Sequence, residues 1–203
     1  MENSAMNERI IGLYEDHAAA WDAMRGDRAR LEAPWLERFV ALLPAGGRVL
    51  DIGCGSGRPV AAWLIDRGLR VTGIDSSPSL IALARGRFPK AEWQVADMRA
   101  LALGERFDGL IAWHGLFHLS PDDQRPMFGR LAAHAKPGAA LMFTSGWGAG
   151  VRIGEWQGEP LYHASLDPAE YRRLLGDNGF KILEHKRRDP ECGEASVWIA
   201  RYA

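Results

Sequence analysis

Apolar residues recur along this chain at two different periods, and the switches between them outline its elements. Ile10, Leu13, Tyr14, His17, Ala18, Trp21 and Met24 keep the three-and-four spacing of an amphipathic helix. A second helix starts at Pro34, a residue suited to a first helical position, and carries Leu36, Phe39, Val40 and Leu43 to a stop at Pro44-Ala45-Gly46-Gly47. Short apolar runs then alternate with helical stretches. Residues 48–52, 70–74, 92–96, 107–113 and 139–144 read as strands, and 59–67 and 78–87 as helices. Ser77-Pro78 supplies an N-cap and first turn for the second of these helices. Another helix opens at Ser120-Pro121 and ends at Lys136-Pro137-Gly138; Pro126, which lacks a backbone donor, should bend or restart it. Asp167-Pro168-Ala169-Glu170 is a capping-box start for a helix with Tyr171, Leu174 and Leu175. Two strand-like runs, 180–185 and 196–202, close the chain around a turn-rich link at 189–193.

Strands alternating with helices at this spacing imply parallel pairing through right-handed crossovers. The expected fold is a doubly wound α/β sheet with helices on both faces. The last two runs are joined too tightly for a crossover and should form an antiparallel hairpin at or near one end of the sheet. A length of 203 residues suits one domain. It divides into a helical cap (1–46), a core that binds the ligand (47–145), a lid (146–166) and a C-terminal helix and hairpin (167–203).

Composition narrows the partners. Lys and Arg number 25 and Asp and Glu 26, a formal charge of −1 that gives no general attraction to nucleic acid or anionic membranes. The one dense basic cluster, Lys186-Arg187-Arg188, reads as a solvated strand end. Cys54 and Cys192 are too few for a disulfide framework, residues 1–9 are polar and unlike a leader, and no apolar run approaches a membrane span. The expectation is a soluble cytoplasmic protein, monomeric or homodimeric.

The sharpest chemical signal is Val49-Leu50-Asp51-Ile52-Gly53-Cys54-Gly55-Ser56-Gly57, a buried strand running into a loop with glycine at alternate positions. Glycines permit positive φ and close approach of a ligand to the backbone, and the helix that follows offers unpaired amides. Asp75 closes the second strand, 18 positions after Gly57, where a carboxylate can accept both hydroxyls of a ribose. Asp97 ends the third strand in the same way. Three carboxylates, Asp51, Asp75 and Asp97, converge on one crevice, which suits a cationic, adenosine-bearing ligand better than a pyrophosphate. Arg58, in the expected first helical turn, opposes the helix dipole, so an anion should offset it; Arg25 is a rival for that role.

Taken with Gly73-Ile74-Asp75, Val95-Ala96-Asp97-Met98, Phe107-Asp108 and Lys136-Pro137-Gly138, the glycine loop makes the chain resemble a class I S-adenosylmethionine-dependent methyltransferase of the small bacterial type, from about residue 48 onward. The resemblance implies a seven-stranded sheet with a reversed last strand, and S-adenosylmethionine as cofactor with S-adenosylhomocysteine as product. It implies that Asp51 and the loop Gly53, Cys54, Gly55 and Gly57 hold the methionyl part, whose carboxylate is then one candidate for the anion that offsets Arg58. Asp75, beside Ser76, would hold the ribose. Ala96, Asp97 and Met98 would surround the adenine, and Ala112 and Trp113 would flank the ammonium and methyl. Tyr14 and Trp21 match aromatics that close over the cofactor in such enzymes; ordinary helix packing is their other reading.

Methyl transfer needs a nucleophile held in line with an already activated methyl, and a base only where the acceptor carries a proton. Candidate bases are His114, His118 and His163. The pair His114 and His118 lacks a third ligand, so no metal is expected. Residues 145–165 have no long apolar period and hold Trp147, Trp156, Tyr162 and His163 between glycines. They read as an irregular lid over the crevice, with Trp113, His114, Trp147, Trp156, Tyr162 and His163 as walls for a small-molecule acceptor. Ala112-Trp113-His114-Gly115 lacks the Asn/Asp-Pro-Pro-aromatic pattern of amino-methylating DNA enzymes. Two other classes compete: a cofactor-binding protein without catalysis, and a nicotinamide-dependent oxidoreductase. The latter would place a third glycine where Arg58 stands.

Overall fold

The computed structural model describes residues 2–26 and 29–203. Seven strands form one sheet: β1 (Arg48–Ile52), β2 (Arg70–Asp75), β3 (Glu92–Val95), β4 (Phe107–Ala112), β5 (Ala135–Ser145), β8 (Phe180–Asp189) and β9 (Ala195–Tyr202). Their order is β3-β2-β1-β4-β5-β9-β8; the first five are parallel and β9 runs antiparallel to both its neighbours. The order reverses between β1 and β4, so a crevice opens beyond their carboxyl ends, where ligands enter such sheets.

Period-two alternation sorts side chains onto two apolar layers. Leu50, Ile52, Leu110, Leu141 and Phe143 pack with Phe128 and Leu131 of α6 (Pro121–His134) and with Tyr171 and Leu175 of α7 (Pro168–Asp177). Val49, Val71, Ile111 and Met142 face Trp35, Leu36 and Phe39 of α3 (Ala33–Val40), Leu64 of α4 (Val60–Asp66) and Ile81 of α5 (Pro78–Arg87). Asp51 stands two places after Val49 on the same strand, and is a carboxylate where an apolar residue would otherwise complete the row.

Four expectations change. The first amphipathic stretch is two helices, α1 (Glu2–Asp16) and α2 (Ala18–Arg25), meeting at His17, whose ring donates to Glu159 at 2.9 Å. α6 passes through Pro126 as one helix, and β5 starts at Ala135, pairing with Phe107 before a register shift. α4 has only seven residues and begins after Arg58, so the helix-dipole argument for Arg58 does not hold. The lid is not irregular: β6 (Gly150–Trp156) and β7 (Glu159–Ser165) form an antiparallel hairpin in full register. Its turn is Gln157-Gly158, with φ of 53° and 80°, the geometry of a tight two-residue hairpin loop.

Candidate functional site

The amides of Gly53 and Cys54 both donate to the carbonyl of Ile74, at 2.8 and 3.0 Å, which ties the glycine loop to the end of β2. Gly53, Gly55 and Gly57 all have positive φ, at 74°, 55° and 77°. A side chain at Gly55 would also crowd Trp21, whose indole nitrogen is 3.3 Å from the position of its Cβ. Asp75 accepts from the amides of Gly55 and Ser77, each at 2.9 Å, and so joins the loop to the start of α5. Burial raises its pKa against these stabilising amides. Gly57 lies apart from the crevice, packed against Phe88 and Trp93.

Two acids of the N-terminal helices hold them over this loop. Glu15 accepts from the Ser77 and Ser79 hydroxyls, both at 2.5 Å, and from the Ser79 amide. Asp22 accepts from Ser56 at 2.5 Å and forms an ion pair with Arg87. Neither acid stood out in the sequence, since both look like the polar face of a helix.

Under that roof a partly enclosed cavity runs between the loop and the ends of β2 to β4. Tyr14, Trp21, Gly53, Gly55, Asp75, Ser76, Ala96, Asp97, Met98, Trp113 and His114 all line it. Asp97 is held by Arg99, which donates through its amide at 2.8 Å and its guanidinium at 2.6 Å; burial pushes the carboxyl up, but these bonds hold it below its ordinary range. Ala112 is fully buried in the sheet and does not line this cavity.

A smaller recess adjoins it, lined by Trp21, Arg25, Asp51, Cys54, Arg58 and Trp113. Asp51 is 2% exposed, and its Oδ2 and the indole nitrogen of Trp113 are buried without a hydrogen-bond partner among the described residues. Burial, reinforced by the charge of Asp75 and opposed by Arg25, raises the pKa of Asp51 to about 7. Arg25 is paired with Glu32 at 2.9 Å. A buried acceptor and a buried donor left open in a recess with two arginines fit the ammonium and carboxylate of an amino acid. The larger cavity, with its roof aromatics and Asp75, fits a nucleoside.

The comparisons with known proteins agree. A methyltransferase-domain family profile matches residues 49–138. Over these residues the chain is a methyltransferase domain. An O-methyltransferase from Pyrenophora dematioidea is 27% identical over 200 residues, covering 90% of this chain and 73% of the relative. A trans-aconitate 2-methyltransferase from Paracidovorax citrulli is 37% identical over 171 residues, covering 81% of this chain and 61% of the relative. Among solved structures, the 1,6-didemethyltoxoflavin-N1-methyltransferase of Burkholderia thailandensis superposes with a TM-score of 0.73 at 24% identity, covering all of this chain and 89% of the other. The amino pentose methyltransferase CalS10 from Micromonospora echinaspora gives 0.73 at 20%, covering 91% and 95%. Similar folds hold the cofactor in their solved structures: the glycopeptide N-methyltransferase MtfA is complexed with S-adenosylhomocysteine or S-adenosylmethionine, and CalS10 is bound to S-adenosylmethionine.

The methyltransferase brings some of its expected walls together and sends others elsewhere. A second cavity opens beside the first, lined by His114, Phe117, Ser145, Trp147, Arg152, His163, Ser165 and Glu194. His114 faces all three spaces, and Trp113 the first and the recess. Trp156 and Tyr162 line none of them. Trp156 stacks on Tyr14 and meets His17 and Trp21 edge-on, while Tyr162 is buried with Ile10 and Leu13, so both fasten the hairpin to the helical cap. Alternation along β7 explains it: His163 turns to the cavity, and its neighbour Tyr162 must turn away.

The three histidines also separate. Nδ1–H of His118 donates to the Tyr162 carbonyl and the Tyr14 hydroxyl donates to Nε2, both at 2.9 Å, so its lone pair is already engaged. Burial pushes its pKa down to about 4. Burial, with Arg25, takes His114 to about 3; its φ is 57°, and its amide donates to Thr144 at 2.9 Å. Burial lowers His163 too. The basic cluster lies at the solvent-exposed end of β8, where Lys186 pairs with Asp189 while Arg187 and Arg188 gather at Trp147. Among the described residues no helix is long and apolar enough to cross a membrane, and no three His, Cys, Asp or Glu side chains are grouped to hold a metal ion.

Proposed function

We propose that this methyltransferase passes a methyl group to a small organic acceptor lying in the second cavity. The observation that carries the reading is the junction at His114, where the acceptor space meets the recess that fits the methionyl group. Bound S-adenosylmethionine supplies a sulfonium-activated methyl. The chain's part is to bind, orient and exclude water. Asp51 takes the ammonium, and the Trp113 indole with Arg25 and Arg58 takes the carboxylate. Asp75 receives the ribose hydroxyls on its remaining lone pairs. Asp97 and the Met98 backbone meet the adenine, with Tyr14 and Trp21 as the roof.

His114 and His163 flank the acceptor as neutral imidazoles that orient it. Neither is a strong base at neutral pH, because each loses proton affinity by burial. The acceptor therefore reacts through a lone pair it already carries, such as that of an oxyanion or an unprotonated nitrogen. Residues 1–46 act as the helical cap, 47–145 as the cofactor-binding core, 146–166 as the lid, and 167–203 as the C-terminal helix and hairpin. A formal charge of −1 supports a small-molecule acceptor over nucleic acid, and we place the protein in the cytoplasm as a monomer or homodimer.

Calorimetric titration with S-adenosylmethionine, S-adenosylhomocysteine and NADH tests the cofactor, and methyl transfer to an acceptor panel tests turnover. Binding of both sulfur compounds, with NADH inert, is the expected result. Binding of NADH alone would overturn the reading, and cofactor binding without turnover would favour a non-catalytic binding protein.

A further inference from the structure

The second cavity carries a feature that methyl transfer itself does not require. Arg152 and His163 are directly opposed across the β6–β7 hairpin, so both side chains project from the same face, and both line the cavity. The guanidinium of Arg152 lies 4.2 Å from the centre of the Trp147 ring. Arg187 and Arg188 approach the same ring at 5.8 and 5.5 Å, and the Nε–H of Arg187 donates to the Trp147 carbonyl at 2.7 Å. Glu194 is the one carboxylate lining this cavity among the described residues, and it is paired with Arg188 at 2.9 Å. Arg152 and Arg187 have no carboxylate partner among the described residues. Two exposed guanidinium groups thus meet at the Trp147 ring, Arg152 in the lining of the cavity and Arg187 beside it. Phe117, also in the lining, lies 5.2 Å from His163 and 5.7 Å from His114 between ring centres.

Resting on the reading of this space as the acceptor's, we propose that the methyl acceptor is a small planar molecule anchored by an oxyanion, a carboxylate or phosphate, which Arg152 and Arg187 bind beside Trp147. Guanidinium forks match such groups through paired N–H donors and are easily held against an aromatic face. The anchoring anion and the reacting atom are at opposite ends of the acceptor: the charge stays at Arg152, and the nucleophile points to His114. A cationic or uncharged acceptor would leave both guanidinium groups unanswered.

The test is nuclear magnetic resonance of the arginine Nε–H groups in the S-adenosylhomocysteine-saturated protein, titrated separately with benzoate, phenyl phosphate, benzamide and benzylammonium. Saturable shifts of the Arg152 and Arg187 signals with benzoate or phenyl phosphate, at least tenfold tighter than with benzamide, are expected. Arg152→Gln should remove one responding signal and weaken the anion at least fivefold, while S-adenosylhomocysteine binds as before. Absence of any response to both anions would overturn the proposal, as would equal shifts with benzamide or an unchanged titration in the variant. Failure of S-adenosylhomocysteine to bind in the same samples would instead remove the methyltransferase reading, so the two failures are told apart.

Discussion

Asp51 offers the sharpest test, because the charge that serves binding should weaken the cofactor-free fold. Its pKa rises from an ordinary 3.8 to about 7, chiefly through burial. The folded state therefore holds this proton more tightly than the unfolded chain. The contribution of Asp51 to stability is greatest below pH ~4, falls as pH rises towards about 7, and is level above that. A difference of about 3 units at ~1.4 kcal/mol each makes ionised Asp51 a penalty on the order of 4 kcal/mol. Asp51→Asn removes the charge at nearly constant shape. An amide without partners in the same place returns about 1–3 kcal/mol of that gain, leaving the cofactor-free variant roughly 1–3 kcal/mol more stable at pH 8. For a chain of this size that corresponds to a Tm higher by about 2–4 °C per kcal/mol. At pH 4, where the wild-type carboxyl is already neutral, the gain should vanish.

Binding should respond in the opposite direction. The ammonium of S-adenosylmethionine needs Asp51 ionised, so its affinity should fall about tenfold for each pH unit below 7. Asp51→Asn should weaken binding at pH 8 by about 2–5 kcal/mol, the range for truncating one side of a buried charge pair. Thermal denaturation at pH 4 and 8 reads the first effect, and calorimetry in two buffers of different ionisation enthalpy counts the proton released near pH 6. A variant that melts lower than wild type at pH 8, or binds the cofactor unchanged, would refute this account of Asp51.

Three further outcomes follow from the same contacts. Asp75→Ala removes the carboxylate joining Gly55 to Ser77 and the expected ribose contact, so S-adenosylhomocysteine should bind about 1.5–3 kcal/mol more weakly by calorimetry; unchanged affinity would remove its role. Tyr14→Phe takes the donor from Nε2 of His118 and should lower stability by about 1–3 kcal/mol, with the His118 nitrogen resonances reporting the lost bond; a wild-type spectrum would contradict the contact. Gly73→Ala would bring a methyl within 2.4 Å of the Trp93 ring and 2.8 Å of the Cys54 sulfur, and should cost about 1–3 kcal/mol; an unchanged Tm would show that Trp93 can move aside.

What the sequence revealed was whatever local chemistry decides. Val49 to Gly57 announces a strand and a turn needing positive φ, and Asp75 and Asp97 announce themselves by ending strands. The β6–β7 hairpin escaped notice because its turn is Gln157-Gly158, where an Asn or Asp before the glycine is the usual signal. With the hairpin unseen, its alternation was unseen too, and Tyr162 and His163 looked equally fit to line a site. The contacts that roof the crevice, Glu15 to Ser77 and Asp22 to Arg87, join residues more than 60 positions apart and leave no trace in either segment alone. Separation along the chain also hid the contact of Arg187, whose partner Trp147 is 40 residues earlier.

The histidines show how burial turns a residue type into a role. Sequence supplies three imidazoles that titrate near neutrality in water, each a reasonable base. Folding divides them by their surroundings: His118 is fixed by Tyr14 and Tyr162, while His114 and His163 are desolvated beside the acceptor space. Each change lowers proton affinity, so a site rich in histidine is poor in bases at neutral pH. The proposed acceptor is therefore one that needs none, and Arg152 in the cavity lining suits one already carrying negative charge. On the proposed reading, Asp51 meets the ammonium of the cofactor on one side of His114, and Arg152 meets an oxyanion of the acceptor on the other. That polarity orients the acceptor with its nucleophile towards the methyl, which is the alignment that in-line transfer requires.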